Sequence, residues 1–553
     1  MNLLTVEALK VTIGSQPVVE NVSFSLAPGE ILGIVGESGS GKSMTALAII
    51  GLLPEGARAE GAIEFDGRQI LSMEESDLCD LRGDGIGMIF QEPMTALNPL
   101  MTIGDQVAET LMVHRRMRRG EALRIARDRL DRVGLTGDRF PLTLYPHELS
   151  GGQRQRVAIA MAIALRPRLL IADEPTTALD VTTQAGVLAL LRDLARSEDM
   201  ALILITHDLA VTAVMADRVA VMKDGIVVED RPTEALFRAP AEGYTRALLH
   251  ASLPRAPSAL PKYPGPPSST GVAEGDGGSA PATEAADALL RVEHACRSYR
   301  LPRPRPFAPR PLRAAVDDVS FRLEAGEALG LVGPSGCGKS TLARAIVGLD
   351  RLDSGGITLA GTAVGPEMPA PARAAMQIVF QDPYGSFDPR QRVDTLIAEP
   401  FHLTGRPAGW RDRVGEALTD VGLSPGDGRR FIHEFSGGQR QRIAIARALI
   451  TRPKMIVLDE AVSALDVRVR AQVLDLLERL QARHGLAYLF ISHDLSVVGA
   501  LTSRCLVMDA GRIVEDGPTA RILTAPRHPA TQRLVAATPK IPPGWLTPEE
   551  NRR

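Results

Sequence analysis

A short glycine-rich loop that occurs twice constrains this chain more than any other feature. Gly36-Glu37-Ser38-Gly39-Ser40-Gly41-Lys42-Ser43 returns as Gly333-Pro334-Ser335-Gly336-Cys337-Gly338-Lys339-Ser340. Each copy sets four residues between two glycines and follows them with Lys and Ser, the pattern of a phosphate-binding loop. An apolar run precedes each loop (Ile31 to Val35; Ala328 to Val332), as a buried parallel strand requires, and a helical pattern follows (Met44 to Leu52; Thr341 to Leu349). Small residues let backbone N–H groups close around phosphates at the positive end of the following helix. Lys42 and Lys339 supply a mobile point charge to those phosphates, and Ser43 and Ser340 a hydroxyl ligand for Mg²⁺. A strand-to-helix turn that binds nothing is the competing reading of one such match. Two matches in corresponding frames disfavour it, so the chain is expected to handle ATP or GTP.

The rest of the chain repeats along with the loop. Gln91, after Met88-Ile89-Phe90, is matched by Gln381 after Ile378-Val379-Phe380. Leu149-Ser150-Gly151-Gly152-Gln153 is matched by Phe435-Ser436-Gly437-Gly438-Gln439, and Asp173-Glu174 by Asp459-Glu460, each ending an apolar run. Ala178-Leu179-Asp180 pairs with Ala464-Leu465-Asp466, and Thr206-His207-Asp208 with Ser492-His493-Asp494. The offset is 297 residues at the loops and 286 from the Ser-Gly-Gly motif onward, so the first half carries 11 extra residues in between. A repeat of this length means two similar domains. Short apolar strands separated by helical patterns predict a mostly parallel sheet in each, with helices on both faces. Arg124 to Val133 and Val414 to Val421 fall in a helical insertion.

The expected domains are residues 1–253 and 288–536. Between them Pro254 to Ala286 is rich in Pro, Gly, Ser and Ala without periodicity, a flexible linker over 254–287. Leu301 to Arg313, rich in Pro and Arg, reads as a solvated hairpin loop, with a membrane surface or acidic partner as the alternative, and 537–553 as a C-terminal tail, frayed from Pro542. The 553 residues are too many for one core. With 44% hydrophobic and 23% charged residues the chain reads as globular, and a net charge of −3 argues against nucleic acid as the main partner. No apolar run is long enough to span a bilayer. Four scattered cysteines offer neither a disulfide framework nor an iron–sulfur or metal site, which points to the cytosol.

The chemistry follows from the order of the motifs. Asp173 and Asp459 are placed to hold Mg²⁺, and Glu174 and Glu460 to orient and deprotonate an attacking water. His207 and His493 end the next strand within reach of a γ-phosphate, and Gln91 and Gln381 are placed to sense both metal and water. Ser150 and Ser436 with their glycines open helices, and so form further anion-binding N-termini.

Phosphate loop, Gln loop, Leu-Ser-Gly-Gly-Gln, Asp-Glu, Ala-Leu-Asp and His in this order resemble the ATPase domains of ABC transporters over nearly the whole chain. The resemblance implies two tandem P-loop ATPase domains, each with an added helical and an antiparallel β subdomain. It implies ATP and Mg²⁺ sandwiched at two composite sites. One uses Gly36, Ser38, Gly39, Gly41, Lys42, Ser43, Gln91, Asp173, Glu174 and His207 with Ser436, Gly437 and Gly438. The other uses Gly333, Ser335, Gly336, Gly338, Lys339, Ser340, Thr341, Gln381, Asp459, Glu460 and His493 with Ser150, Gly151 and Gly152.

Gln91 to Pro99, with Tyr145-Pro146-His147-Glu148, is similar to the first ATPase subunit of oligopeptide, dipeptide and nickel importers. Gln381-Asp382-Pro383-Tyr384, Asp388-Pro389-Arg390 and His433-Glu434 are similar to the second, and Gly243-Tyr244-Thr245 to the segment closing the core. The expected partners are two transmembrane permeases and, through them, an extracytoplasmic solute-binding protein. The expected location is peripheral, on the cytoplasmic face of the inner membrane, with no direct nucleic-acid partner. A soluble twin-ATPase acting on ribosomes or DNA, or the ATPase of an exporter, are the alternatives. Tyr299 fits the aromatic that stacks on adenine in the second half. Ile13 stands near the corresponding place in the first, where ATP is therefore expected to bind more weakly.

Overall fold

A computed structural model describes residues 2–91, 96–177, 179–253, 288–300, 309–382, 385–463 and 465–546. The expected linker at 254–287, residues 301–308 of the Pro/Arg-rich stretch and the chain beyond 546 lie outside the described residues. So do Glu92 to Thr95, Pro383, Tyr384, Ala178 and Ala464 of the quoted motifs. The chain divides into two compact units. One comprises Met1–Leu253, Asp466–Arg468 and the chain from Ala537, the other Pro254–Leu465 and Val469–Ala536.

In the first unit ten strands form one sheet. They are β1 (Leu4–Ile13), β2 (Gln16–Leu26), β3 (Ile31–Val35), β4 (Ala57–Phe65), β5 (Arg68–Gln69), β6 (Ile86–Ile89), β7 (Leu169–Asp173), β8 (Ala201–Thr206), β9 (Arg218–Lys223) and β10 (Ile226–Pro232). Their order is β5-β4-β1-β2-β10-β9-β3-β8-β7-β6. From β9 to β6 every neighbour is parallel. β3, β7 and β8 are buried at every position, as strands covered on both faces must be, which explains their unbroken apolar runs. β1, β2, β4 and β5 pair antiparallel, and a single parallel partnership, Ile226 with Asn21, joins the two parts.

The second unit has β11 (Leu290–Arg300), β12 (Leu312–Leu323), β13 (Ala328–Val332), β14 (Ser354–Leu359), β15 (Thr362–Ala363), β16 (Met376–Val379), β17 (Met455–Asp459), β18 (Ala487–Ser492), β19 (Arg504–Asp509) and β20 (Arg512–Pro518). Here two sheets stand apart, β12-β11-β14-β15 and β16-β17-β18-β13-β19-β20, the latter parallel from β16 to β19. β11 and β12 pair antiparallel out to Arg300 and Leu312, so Leu312 and Arg313, read as loop from sequence, already belong to a strand.

The unequal offsets arise in two places: the offset is already 290 at Gln91 and Gln381, so 7 of the 11 extra residues precede the Gln and 4 fall in the helical insertion. The first half uses Ile103–Arg115 and Arg119–Arg132, the second the shorter Val393–Ile397 and Trp410–Asp420. In each, an apolar stripe packs on the helix that follows the Ser-Gly-Gly motif: Val107, Leu111, Ala126 and Leu130 against Val157, and Val393, Val414 and Leu418 against Ile443.

The C-terminal segment departs from expectation. Pro543–Trp545 forms a 3₁₀ turn rather than fraying, and Ile541, Trp545 and Leu546 pack on a first-unit cluster that includes Val35, Leu209, Phe237, Leu248 and Leu249. The Trp545 and Phe237 rings lie 5.8 Å apart between centroids at 35°. A half-buried aromatic contact of this kind contributes about 1 kcal/mol. Replacing Trp545 by Ala is therefore expected to lower the calorimetric transition of the first unit by about 2–4 °C. An unchanged transition contradicts the packing.

Candidate functional site

Three parallel strands deliver the candidate residues to one edge. The phosphate loop follows β3, His207 follows β8 and Glu174 follows β7, so their spatial order is loop, His, Glu, although the sequence order is loop, Glu, His. The second unit repeats this with β13, β18 and β17. Residues at the carboxyl ends of parallel strands converge on one crevice, the usual ligand position in such sheets.

Each loop is shaped by close approach. A side chain on Gly36 would run into the carbonyl oxygen of Met222, and one on Gly333 into that of Met508. Gly41 and Gly338 take φ of 94° and 116°, a region that favours glycine, and start the helices Lys42–Ile49 and Lys339–Ile346. Lys42 is 6% exposed and its Nζ donates to Gly36 O (2.9 Å), Glu37 O (2.7 Å) and Ser40 Oγ (3.3 Å). Burial lowers its pKa against the pull of Glu174 and Asp173. Lys339 donates to Gly333 O (2.7 Å) and Pro334 O (3.0 Å). Both ammonium groups thus lie folded over their own loops.

Asp173 and Asp459 end β7 and β17, the first buried and the second half-buried, each hydrogen-bonded by the hydroxyl of its loop serine, Ser43 or Ser340. Burial pushes both carboxyls up, and the Oδ1 atom of each is buried without a hydrogen-bond partner. A carboxylate oxygen orphaned beside a serine hydroxyl, in both halves, suits a hard divalent cation.

The adjacent glutamates are held under strain. Glu174 and Glu460 take φ of 45° and 50°, with their N–H groups donating to Ile205 O and Ile491 O at 2.9 Å. Strain of this kind survives only where its surroundings enforce it, and it gathers at functional sites. Glu174 Oε1 lies 3.1 Å from His207 Nδ1, while its Oε2 accepts from Gln91 Nε2 (3.0 Å) and Thr177 Oγ1 (2.9 Å). Burial alone raises this carboxyl, but the bonds from His207 and Thr177 and the Lys42 charge outweigh it and bring it down to about 2. Glu460 Oε2 lies 3.4 Å from His493 Nδ1. Gln381 shares a cleft of about 590 Å³ with Ser340, Asp459, Glu399 and Arg447.

The Ser-Gly-Gly residues do not enter these networks. Ser150 and Ser436 cap their own helices: each N–H donates to the Gln side chain three residues on (2.9 and 3.0 Å), and each Oγ accepts that Gln's N–H at 3.4 Å. Gly152 and Gly438 are pressed against Thr183 and Val469, whereas Gly151 and Gly437 have open space or ordinary contact around them. Ser335, Gly336, Thr341, Ser38 and Gly39 lie in or beside the loops, as the sequence places them. Tyr299, on β11, is 37% exposed, has Arg297 over its ring at 5.2 Å and donates to Asp350 at 3.3 Å. Ile13, on β1, is 40% exposed.

The family follows from the comparisons with known proteins. A model described as "ABC transporter" matches residues 19–177 and 316–463, and one described as "Oligopeptide/dipeptide transporter, C-terminal region" matches 514–552. The chain belongs to the ABC transporter ATPases. It is 47% identical over 533 residues to the peptidoglycan transport ATP-binding protein YejF of Agrobacterium fabrum, covering 94% of this chain and 92% of that one. It is 44% identical over 586 residues to the glutathione import ATP-binding protein GsiA of Escherichia coli strain K12, covering 99% and 91%.

Sequence reasoning passed over three residues at these two clusters. Thr177 bonds the Glu174 carboxylate, Arg313 donates to Gly336 O at 3.3 Å, and Tyr244 Oη accepts the Glu37 N–H at 3.2 Å. For Thr177 the signal was there, three residues past Glu174; for the others nothing local marks the contact.

The depressed Glu174 pKa carries a pH signature. The ordinary value is 4.5, so the ionised carboxylate stabilises the folded first unit fully above about pH 5, and that contribution is lost as pH falls towards 2. Glu174→Gln removes it. The unfolding free energy of the wild type, measured against that of the variant, is expected to fall by on the order of 2 kcal/mol between pH 6 and pH 2.5. A difference constant with pH contradicts this.

Proposed function

We propose that the chain is the ATP-hydrolysing subunit of an importer for peptide-like solutes, with two hydrolysing sites. The observation that carries this is one chemical constellation built twice: a folded-back loop lysine, an Asp–Ser pair with an orphaned carboxylate oxygen, and a strained glutamate beside a histidine. Lys42 and Lys339 swing from their loop carbonyls to the β- and γ-phosphates. Asp173 and Asp459 with Ser43 and Ser340, and Gln91 and Gln381 beside them, would hold Mg²⁺, which would neutralise charge on the phosphates. Glu174 and Glu460 orient the attacking water, with His207 and His493 at the γ-phosphate. At a pKa of about 2 Glu174 is a poor base without nucleotide. The negative charge of a γ-phosphate opposes its ionisation and brings it towards the range in which it takes a proton.

The Ser-Gly-Gly residues complete the sites across halves: Ser436, Gly437 and Gly438 serve the first loop, and Ser150, Gly151 and Gly152 the second. The exposure of Ser150, Gly151, Ser436 and Gly437 at their helix N-termini supports this. Tyr299 stacks on adenine in the second site. Among the described residues no helix is long and apolar enough to cross a membrane, so transport requires partners that are. Two permeases dock on the helical insertions and the Gln381 cleft, holding the ATPase at the cytoplasmic face. An extracytoplasmic binding protein delivers the solute, a peptide or peptide-like molecule, as the names of the relatives and the C-terminal family match support.

Glu174→Gln/Glu460→Gln protein is expected to bind ATP while turning it over about 10²–10⁴-fold more slowly. Tagged and held with ATP, it should retrieve two multi-span proteins in equal yield from detergent-solubilised native membranes. Retrieval of ribosomal or DNA-repair proteins without a membrane protein overturns the importer reading.

A further inference from the structure

The two phosphate loops are near-copies, yet the first is held by a contact that the second lacks. The peptide unit between Gly36 and Glu37 is gripped from both sides: its carbonyl accepts from Lys42 Nζ at 2.9 Å, and its N–H donates to Tyr244 Oη at 3.2 Å. A peptide group is planar, so fixing its N–H also fixes the direction of its carbonyl. Hydrogen bonds on either end of one amide also polarise each other.

Tyr244 comes from 207 residues along the chain. It opens the helix Gly243–Ser252, whose Thr245, Leu248 and Leu249 are buried. Its ring packs on the cluster that contains Val35, the last residue before the loop, and Lys223 Nζ lies 5.4 Å from the ring centroid. Burial pushes the phenol up to about 12, so it stays protonated and neutral beside a site for phosphates.

The second half lacks both ends of this bond. Position 334 is proline, which has no N–H to donate, although Lys339 still donates to Gly333 O at 2.7 Å. The 286-residue offset aligns Thr245 with Thr531 and Leu248 with Leu534, both pairs buried, and puts Ala530 where Tyr244 stands. Donor and acceptor are therefore present together in one half and absent together in the other.

We propose that the Tyr244 hydroxyl is a positioning group for ATP binding at the first phosphate loop only, fixing the Gly36–Glu37 peptide whose carbonyl guides Lys42. The second loop obtains the same geometry from the rigid proline. The inference rests on the reading of both loops as ATP sites. It makes the first site depend on the segment that follows the ATPase core, a dependence the second site does not share.

The test uses the full chain with one loop silenced. In a Lys339→Ala background only the first loop retains its lysine, and in Lys42→Ala only the second. Tyr244→Phe keeps the ring and removes only the hydroxyl. It is expected to weaken Mg-ATP binding, followed by calorimetric titration, about three- to tenfold in the Lys339→Ala chain, the range of one net hydrogen bond. In the Lys42→Ala chain it should change nothing. Glu37→Pro, which copies the second loop, removes the donor, so adding Tyr244→Phe to it should cost no further affinity. Equal weakening in both backgrounds, no weakening in either, or additive effects of Glu37→Pro and Tyr244→Phe overturns the proposal. A Lys339→Ala chain that binds no ATP at all would instead bring down the reading of the first loop as an ATP site.

Discussion

The close approach of each phosphate loop to the strand beside it is the constraint on which the rest of the site depends. β3 pairs with β9 up to Val35 and Val221, and the chain then turns so tightly that Gly36 lies against the Met222 carbonyl; Gly333 and Met508 repeat this beside β13. No residue with a Cβ fits there. The approach sends the next peptides round a tight curve that folds the lysine over two carbonyls. It requires β3 to be a central strand, with β8 on its other side, because an edge strand would leave one wall of the crevice missing.

From that arrangement the acid–base chemistry follows by strand order. β8 lies between β3 and β7, so the histidine that ends it falls between the loop and the glutamate that follows β7. The glutamates are twisted into a left-handed backbone and bonded to the neighbouring strand through their N–H groups, which turns the carboxylates towards the histidines. The energetic cost of that conformation is carried by parallel strands buried at nearly every position. One carboxylate is pulled down by its hydrogen bonds while its neighbour Asp173 is pushed up by burial, so two adjacent acids acquire different roles from different surroundings.

Duplication has preserved the chemistry and let the supports diverge. The Lys, Ser, Gln, Asp, Glu and His of the motifs recur in both halves, but the loop in one half is bonded by a tyrosine from a distant helix and in the other carries a proline at the corresponding place. The antiparallel and parallel strands share one sheet in the first unit and stand as two in the second. Arg313 reaches the second loop, and the C-terminal segment packs with the first unit. Reactive groups tolerate no change of type, whereas a peptide plane or a helix can be held in several ways of similar energy.

Much of this was legible in the residues themselves. Glycine spacing, buried apolar runs and the in-frame recurrence of Asp-Glu and His determined that the chain folds as two P-loop domains and which side chains gather at the carboxyl ends of the central strands, because these are local demands: a turn needs glycine and a covered strand needs apolar residues. Left to the tertiary structure were the partners of those side chains: Gln91 and Thr177 on Glu174, Tyr244 on Glu37, Trp545 on Phe237. The start of the expected frayed tail, through Leu546, departs from that reading for the same reason, since its few apolar residues have no periodicity and pack only on a cluster assembled from distant strands and helices. Contacts across 83 or 207 residues depend on strand order and helix docking, and no local pattern of hydrophobicity or spacing encodes which distant hydroxyl will meet a given N–H.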